Sequence, residues 1–563
     1  MLIENKINEL QSLVSKYNTE SFAGFFAYFI KKRPDESADI ELNKFDSKLK
    51  DFLYLIALNA FSQKKRSEDF EHPNKNLGII ADKLNEIKNF NRGTNFTVYT
   101  KESIIHEMAF RNHFDNGVLS YVEQDLEKLR RVFQPFESKI IEDFGLDLEF
   151  LIQVYKEIEL VSMIRFKQTY GFSHTPEFAE FNYRILSKEM NFEKAFGLLP
   201  QNIQDQFLAF HAKPHAYLMF TPEYLYTRLP KEKVDTFLEL FTCEPVPDAT
   251  IRYYAAENPF QSAPILKLPG NKYLNLYQKQ IPIAIYNKLY AHLFNNKNYT
   301  DKLRKHKENS LEKKVAEICR SFFPARDTFF YENYYVKRNC EQDLLIVHKG
   351  TAIIIETKAS KLREPLRDTE KAVEKLKSDF KSCIQLGYNQ CKRVEDYFFD
   401  TEPFPIKDEK GKVLYNINPN KIHSIYSVVV TLERFGCLQT DLSLMLNKDA
   451  EVDYPWSVYI DDLEIFLLAL KQGTGSPVVK FINFLKLRQQ MHGRMYAIDE
   501  LDVCATYLQS PSKFKQCLEQ EDAFLNFSPH QQGYFDKLYR NDKICFKEKP
   551  LPDEFYRFGI PEV

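Results

Sequence analysis

Hydrophobic positions in the first 240 residues recur at the three- and four-residue intervals of amphipathic helices. Leu10, Leu13 and Val14 follow this spacing, and the segment 122–133 repeats it farther along the chain. The pattern predicts a helical N-terminal region over residues 1–240, followed by a region of different structure.

The pattern changes near residue 262, where short apolar runs replace the helical spacing. The runs 263–268 and 273–277 lie on either side of a Pro-Gly-Asn turn, which predicts a β-hairpin. A helix over about 285–293 follows. The segment 297–314 is polar and strongly basic, and we expect it to be a linker.

A second hairpin is predicted farther along the chain. The runs 344–347 and 352–355 are apolar, rich in β-branched residues and separated by a Gly-containing turn. Both faces of each run are apolar, which is typical of strands in the middle of a sheet that is covered on both sides.

The register of this hairpin brings charged side chains together. If Lys349 and Gly350 form the turn, Asp343 falls opposite Glu356, and a four-residue loop gives the same pairing; an odd-length loop would shift it by one. Opposed side chains share a face of the sheet, and Lys358 points to that same face. Two like charges this close are unfavourable unless a divalent cation lies between them.

Length and composition limit the class of protein. A chain of 563 residues predicts three or four domains, and its net charge of -2 means that any nucleic-acid surface is local. Only 17 residues are Gly, which favours long helices over Gly-rich phosphate loops. The nine Cys residues contain no C-x-x-C pair, so we expect free thiols in a reducing compartment.

The N-terminus has no hydrophobic signal-peptide core. Its longest apolar stretch, 21–30, is too short to span a bilayer. We therefore expect a cytoplasmic protein with no membrane partner.

The triplet Glu356-Thr357-Lys358 is weak evidence by itself. With 79 acidic and 77 basic residues in the chain, an acid-x-base triplet is expected roughly 11 times by chance. Its position at the end of an Ile-Ile-Ile strand, with Asp343 in register across a hairpin, is uncommon. A purely structural role of these residues stays an alternative.

This arrangement resembles the PD-(D/E)XK nuclease superfamily, the restriction-endonuclease-like fold, in its nuclease-related-domain or recombination-exonuclease form. The signature of that superfamily is an Asp on one strand and Glu-x-Lys on the next, here Asp343 and Glu356-Thr357-Lys358. The resemblance covers about 310–435 and implies two further strands, over 329–336 and 425–432. Many members of the family carry a metal-site Glu on the first helix of their fold, which precedes the hairpin. Here that helix begins near Leu311, which makes Glu312 the candidate and Glu317 the reserve.

The resemblance implies phosphodiester hydrolysis, with Asp343, Glu356 and Lys358 as catalytic residues. Asp343, Glu356, the Thr357 carbonyl and Glu312 would hold Mg²⁺ or Mn²⁺, since hard oxygen ligands favour these ions over Zn²⁺. A Gln near the site is also common in the family, and Gln390 is the first candidate, with Gln385 the second.

Basic residues after the triplet are candidates for phosphate contacts. The full set of predicted nucleic-acid-binding residues is Lys361, Arg363, Arg367, Gln390 and Arg393. Acidic residues interleave with several of these bases, so a solvated surface is the alternative.

The predicted fold class is multidomain and mainly α, with an α/β core: a central mixed sheet of restriction-endonuclease-like type flanked by helices. The domains are expected at 1–240 (helical), 241–309 (hairpin, helix and basic linker), 310–470 (nuclease) and 471–563 (helical). By analogy, the layout suits a bacterial anti-phage nuclease that acts on DNA, with RNA as the alternative substrate. The helical regions are expected to form a homodimer or to bind a partner protein. The alternative is an inactive nuclease-like module for nucleic-acid binding or assembly.

Asp461 or Asp462 is expected to be a helix N-cap, because a short strand enters a helix there. We assign them a structural use and no catalytic one.

Overall fold

A computed structural model of the chain describes most of its length. The described residues are 2–32, 41–45, 47–63, 68–71, 75–92, 101–114, 120–337, 340–360, 362–363, 369–400, 402–520, 523–528, 531 and 533–549.

Helices make up most of the structure. Their bounds in chain order are α1 (Leu2–Val14), α2 (Thr19–Lys32), α3 (Lys48–Ala60), α4 (Leu77–Arg92), α5 (Lys101–Phe114), α6 (Val122–Phe133), α7 (Glu137–Phe144), α8 (Leu148–Tyr170), α9 (Pro176–Leu186), α10 (Phe192–Gly197), α11 (Gln201–Ala212), α12 (Pro222–Tyr226), α13 (Lys231–Phe241), α14 (Pro259–Ser262), α15 (Gln280–Asn295), α16 (Thr300–Phe322), α17 (Thr369–Phe380), α18 (Leu386–Phe399), α19 (Cys437–Thr440), α20 (Ile460–Leu470), α21 (Pro477–Arg488), α22 (Glu500–Gln509), α23 (Pro511–Leu518) and α24 (Gly533–Arg540).

The strands form three sheets within the described residues. Their bounds are β1 (Met219–Phe220), β2 (Thr242–Cys243), β3 (Ile265–Leu268), β4 (Lys272–Asn275), β5 (Thr328–Lys337), β6 (Cys340–His348), β7 (Thr351–Lys358), β8 (Phe404–Lys407), β9 (Val413–Ile417), β10 (Ser424–Thr431), β11 (Trp456–Tyr459), β12 (Met495–Tyr496) and β13 (Leu525–Asn526).

The chain divides into two compact units. Unit 1 comprises Met1–Arg92, Gly117–Asn295 and Glu548–Val563, and unit 2 comprises Gly93–Asn116 and Asn296–Lys547. The four-part domain division stays a prediction.

Unit 1 confirms the helical N-terminal region and the first predicted hairpin. Helices α1 to α4 and α6 to α15 belong to it, together with a small sheet of order β1-β4-β3-β2. Strands β3 and β4 pair antiparallel on either side of the Pro-Gly-Asn turn. The predicted helix after the hairpin is α15, which buries Ile285, Leu289 and Leu293 because they lie on one face.

Unit 2 is built around a mixed seven-stranded sheet, in the order β11-β10-β7-β6-β5-β8-β9 among the described residues. Strand β10 runs parallel to both β7 and β11, and the remaining neighbours are antiparallel. Strands β6 and β7 lie in the interior of the sheet, as their apolar faces predict. The expected mainly helical fold with a central mixed sheet is confirmed.

The register of the β6–β7 hairpin is the predicted one. His348 pairs with Thr351, and the ladder continues to Leu344 opposite Ile355. The turn residues Lys349 and Gly350 have φ of 46° and 79°. Positive φ at both positions is the geometry of a type I′ turn, whose twist matches that of the strands.

The basic segment expected to be a linker is instead the first part of α16, which begins at Thr300. The expectation is wrong because its apolar and long side chains recur at helical spacing. Leu303, Lys307 and Leu311 lie four residues apart and are all buried on one face. The charged residues between them occupy the exposed face.

Helices α17 and α18 are joined by a π-helical turn at Lys381–Gln385. Helix α18 packs on β7 and β10, where Cys391 and Val394 meet Ile354 and Val429 in one buried cluster. The helix can come this close because Gly387 has no side chain: a Cβ there would lie 2.7 Å from a methyl group of Val429.

The expected N-cap at 461 or 462 is wrong. The N-cap of α20 is Tyr459, and both acids lie in the first helical turn. Asp462 instead accepts a hydrogen bond from Arg434 at 2.7 Å, and Arg434 also pairs with Asp499. Both acids are buried, and through them Arg434 links the first turn of α20 and the residue before α22 to the segment that follows β10.

No helix in the described part of the chain combines the length and the apolar character needed to cross a membrane.

Candidate active site

The candidate site lies where β6 and β7 separate. The backbone pairing of the two strands ends at Leu344 and Ile355. At the next residues, Asp343 and Glu356, hydrogen bonds between backbone and side chain replace the backbone ladder. Asp343 Oδ2 accepts hydrogen bonds from the Thr357 backbone N–H at 2.6 Å and from Thr357 Oγ1 at 2.8 Å. The Asp343 backbone N–H faces Glu356 Oε1 at 3.4 Å. The two predicted acids are therefore neighbours, and Thr357 orients the first.

Glu356 is completely buried, at 0% exposure. Burial raises the pKa of its carboxyl to about 8, and the charge of Asp343 adds to the effect, while Lys358 acts in the opposite direction. A carboxyl with this pKa carries a proton at neutral pH unless a cation replaces that proton. Such a group is typical of functional sites.

Lys358 reaches back over the same acid. Its Nζ lies 2.9 Å from the Thr357 carbonyl oxygen, to which it donates a hydrogen bond, and 3.4 Å from Glu356 Oε2. The side chain is only 11% exposed, and its stem runs past Gly387 on α18. The predicted convergence of two carboxylates and one ammonium at the end of the hairpin is thus present in the structure.

Glu312 approaches this cluster from α16 and is half-buried. Burial raises the pKa of its carboxyl, and the charge of Asp343 raises it further. Asn333 Nδ2 lies 3.4 Å from Glu312 Oε2 and 3.1 Å from Glu341 Oε1. The reserve candidate, Glu317, lies on the exposed face of the same helix.

Asn333 and Glu341 were not expected from the sequence. Asn333 has a φ of 48° inside β5, a left-handed conformation that Asn tolerates better than most residues. An Asn in the middle of an aromatic strand is the sequence signal that indicates this irregularity. Asn333 contacts both Glu312 and Glu341 and so connects α16 to the first residues of β6.

The predicted nucleic-acid-binding residues differ in their surroundings. Arg363 is held by Asp379, with Nε to Oδ1 at 2.6 Å, which competes with any phosphate contact. Gln390 has a buried Oε1 that accepts no hydrogen bond from the described residues. Gln385 bonds the backbone of Asn447 through both its amide atoms, a structural use.

Arg393 is half-buried on α18, one turn beyond Gln390, and forms no ion pair with the described residues. The remaining two predicted bases, Lys361 and Arg367, lie outside the described residues. The nucleic-acid-binding role of the whole set stays a prediction.

The oxygen donors here suit a hard divalent cation better than Zn²⁺. Among the described residues, however, no three His, Cys, Asp or Glu side chains are already arranged as a metal site. The donors that fit are the carboxylates of Asp343 and Glu356 and the Thr357 carbonyl. The completely buried carboxyl of Glu356 beside Asp343 is the strongest sign of a fit, because a cation would relieve both its burial cost and its conflict with Asp343.

Comparison with known families addresses the same part of the chain. Residues 307–431 match the model of the nuclease-related domain, a PD-(D/E)XK-like nuclease domain. The match confirms the predicted resemblance and runs from α16 to the end of β10. It covers a little over a fifth of the 563 residues. No curated protein and no solved structure matches the chain significantly.

The nuclease-related domain contains every element that positions the site. Strands β6 and β7 carry Asp343 and Glu356, α16 carries Glu312, and α18 covers Lys358. Domains of this type typically use divalent metals, and the match indicates a nuclease-related function.

Proposed function

We propose that this protein is a metal-dependent nuclease that hydrolyses phosphodiester bonds of DNA. The observation that carries the proposal is the pairing of Asp343 with the completely buried Glu356 at the end of two central strands, with Lys358 3.4 Å from the second acid. An acid with no function is rarely buried against a second acid, because desolvation and like charge both oppose it.

Asp343, Glu356 and the Thr357 carbonyl would hold Mg²⁺ or Mn²⁺, with Glu312 completing the shell from α16. A bound cation would supply polarisation of the scissile phosphate and a lower pKa of the attacking water. Asn333 would orient the Glu312 carboxylate toward the cation through its contact with Oε2.

The other side chains have roles that follow from their contacts. Thr357 fixes the orientation of Asp343 through its backbone N–H and its hydroxyl. Lys358, held by the Thr357 carbonyl, is placed to orient a water molecule or to offset the negative charge that develops on the phosphate during reaction. Its low exposure strengthens that electrostatic effect, because water screens the ammonium less.

We extend the proposal to bacterial anti-phage defence in the cytoplasm, with the helical regions sensing a trigger or a partner. The support is the layout alone: a nuclease-related domain of about 125 residues within a much longer, mainly helical chain. Loss of phage protection in cells that express Asp343→Asn would support it. Equal protection by this variant and by the wild type would contradict it.

The activity is tested with purified protein, plasmid DNA, linear DNA and RNA, in Mg²⁺, Mn²⁺ or EDTA. We expect cation-dependent cleavage by the wild type and a loss of at least about a thousandfold in Asp343→Asn and Glu356→Gln. Unfolding is not expected to explain the loss in Glu356→Gln, because the substituted amide is neutral like the buried protonated acid. Glu402→Gln, an exposed acid outside the site, is the matched control and should keep full activity.

Equal behaviour of the wild type and Asp343→Asn on every substrate would refute the enzymatic proposal. The alternative, an inactive module for nucleic-acid binding or assembly, would then be favoured if both proteins still bound nucleic acid.

A further inference from the structure

Three aromatic side chains form a row on strands β5 and β9, and two of them are exposed. The rings of Phe329 and Tyr415 are nearly parallel, at 12°, with centroids 6.3 Å apart. Those of Tyr331 and Tyr415 lie at 27° and 6.0 Å. Phe329 is 57% exposed and Tyr415 is 52% exposed, while Tyr331 is half-buried. We call these three residues the aromatic row.

The aromatic row lies beside the candidate active site. Tyr331 pairs with Leu345, two residues along β6 from Asp343. With ordinary strand spacings, the backbone positions of Tyr331 and Asp343 are therefore separated by about 8 Å. From Tyr331 the row continues along β5 to Phe329, away from the acids.

The row and the buried acid face the same side of the sheet. Tyr331 packs against the buried cluster that contains Ile354 and Cys391. Glu356 follows Ile354 by two residues on β7, so its side chain leaves the same face. Leu345 and Ile354 fill the face between them and are completely buried. Asn333, two residues beyond Tyr331 on β5, is exposed and Asp343 is partly exposed, so a strand of nucleic acid that follows β5 could contact both the row and the edge of the site.

Three basic residues lie on segments next to the strands of the row: on α18, just before β9, and between β9 and β10. Arg393 lies on α18 four residues before Tyr397, whose ring contacts Phe404 of β8, so Arg393 is on the flank of the helix toward that side of the sheet. Lys412 precedes β9, and Lys421 lies beside the β6–β7 turn, where its carbonyl approaches Gly350. The side chains of these three bases form no ion pair with the described residues, which leaves their charge available to phosphates.

We propose that the aromatic row binds single-stranded nucleic acid, with bases stacked on Phe329 and Tyr415 and the backbone directed toward Arg393 and the acids. The inference rests on the proposed nuclease function and names its substrate class. Exposed aromatic rings near Lys and Arg side chains that form no ion pair are the combination that recognises single strands. The rings can stack on any nucleobase, because every nucleobase offers a flat face. In a duplex those faces are covered by neighbouring base pairs, so the row would not contribute to duplex binding.

The experiment measures binding without cleavage, by fluorescence anisotropy in EDTA, using the full chain. The probes are labelled oligo(dT) and oligo(U) of about 15 nucleotides, together with a DNA duplex of the same length. Oligo(dT) and oligo(U) distinguish DNA from RNA, which share the stacking chemistry. We expect the wild type to bind at least one of the single strands more tightly than the duplex.

The test variant is the double substitution Phe329→Ala/Tyr415→Ala. We expect about a tenfold or greater loss in single-strand affinity and little change for the duplex. Tyr415→Phe keeps the ring and should bind as the wild type does. Phe192→Ala is the matched control, because Phe192 is 50% exposed on α10, far from the row in sequence. Thermal unfolding of each variant checks that these surface changes leave the fold intact.

The outcomes separate this proposal from the nuclease proposal. Unchanged single-strand affinity in the double variant would overturn the row as a binding surface, even if Asp343→Asn abolishes cleavage. Ring-dependent binding with no cleavage by any variant would support the row and refute the enzymatic function. A change of oligomeric state in the double variant, with unchanged oligonucleotide binding, would show that the row is a protein contact and would also overturn the proposal.

Discussion

Asp343 and Glu356 are neighbours that the protein holds by different means. Asp343 is oriented by two hydrogen bonds from Thr357 and remains partly exposed. Glu356 is enclosed completely by the protein, and this burial raises the pKa of its carboxyl to about 8. Because its pKa is raised, Glu356 must lose a proton before it can bind a cation.

The buried acid predicts a pH dependence of cation binding. Below about pH 8 a cation must displace the proton of Glu356, so we expect Mn²⁺ affinity to rise by up to about tenfold per pH unit from pH 6 to 8. Above pH 8 the affinity should level off. Calorimetric titration of the metal-free protein at several pH values measures this, together with proton release on binding.

Glu356→Gln is the control for this pH effect, because it cannot titrate. An affinity that does not change between pH 6 and 8 in the wild type would contradict the raised pKa. A pH slope that persists in Glu356→Gln would assign the effect to another group.

At the residue scale the sequence predicted Asp343, Glu356, Lys358 and Glu312 as one group, and the structure brings them together. It could signal an irregular strand at Asn333 but not the contacts of Asn333, because these depend on α16 and β6 coming together in the tertiary structure. Nor could it predict that Arg363 is engaged by Asp379, since the two approach only when the chain returns in α17.

At the scale of elements, the β6–β7 hairpin follows from its own sequence. Two β-branched runs and a two-residue turn fix the register, and the register fixes which acids meet. The position of helix α18 does not follow from its own sequence pattern alone. Its distance from the sheet depends on Gly387, because the absence of a side chain there leaves room for Val429 and the stem of Lys358.

Gly387→Ala should therefore destabilise the protein, although Ala favours helix formation. The added Cβ would lie 2.7 Å from Val429 Cγ1 in a buried interface, so we expect a loss of about 1–3 kcal/mol in the free energy of unfolding. Denaturant titration measures this loss. Gly197→Ala on α10 is the control, because nothing lies within 4 Å of a Cβ there.

A Gly387→Ala variant as stable as the wild type would show that α18 can move away from the sheet without cost. The contact would then not determine the position of this helix.

At the scale of the whole molecule, unit 2 is discontinuous in sequence. Helix α5 comes from 93–116 of the chain but packs within unit 2, where Ile105 and Met108 join Val373, Leu376 and Leu438 in one buried cluster. A chain segment far from the nuclease-related domain in sequence thus supports α17, which follows the candidate site.

Ile105→Ala should destabilise unit 2 by about 2–5 kcal/mol, because it leaves a cavity in this cluster. Thermal or denaturant unfolding measures the change, and cleavage should be lost at a lower temperature than in the wild type. Ile79→Ala, at a position 47% exposed on α4, is the matched control and should change stability by less than about 0.5 kcal/mol. Equal stability of Ile105→Ala and the wild type would contradict this role of α5.

The sequence by itself determined what depends on short range. Strand runs, the Gly turn and helical spacing predicted the central hairpin, its register and the acids that meet, because side-chain direction repeats every two residues in a strand. The tertiary structure decided what depends on distant segments: the burial that raises the pKa of Glu356, the bridge from Asn333 to Glu312, the aromatic row and the recruitment of α5. These features need contacts between residues far apart in the chain, and no local pattern specifies such contacts.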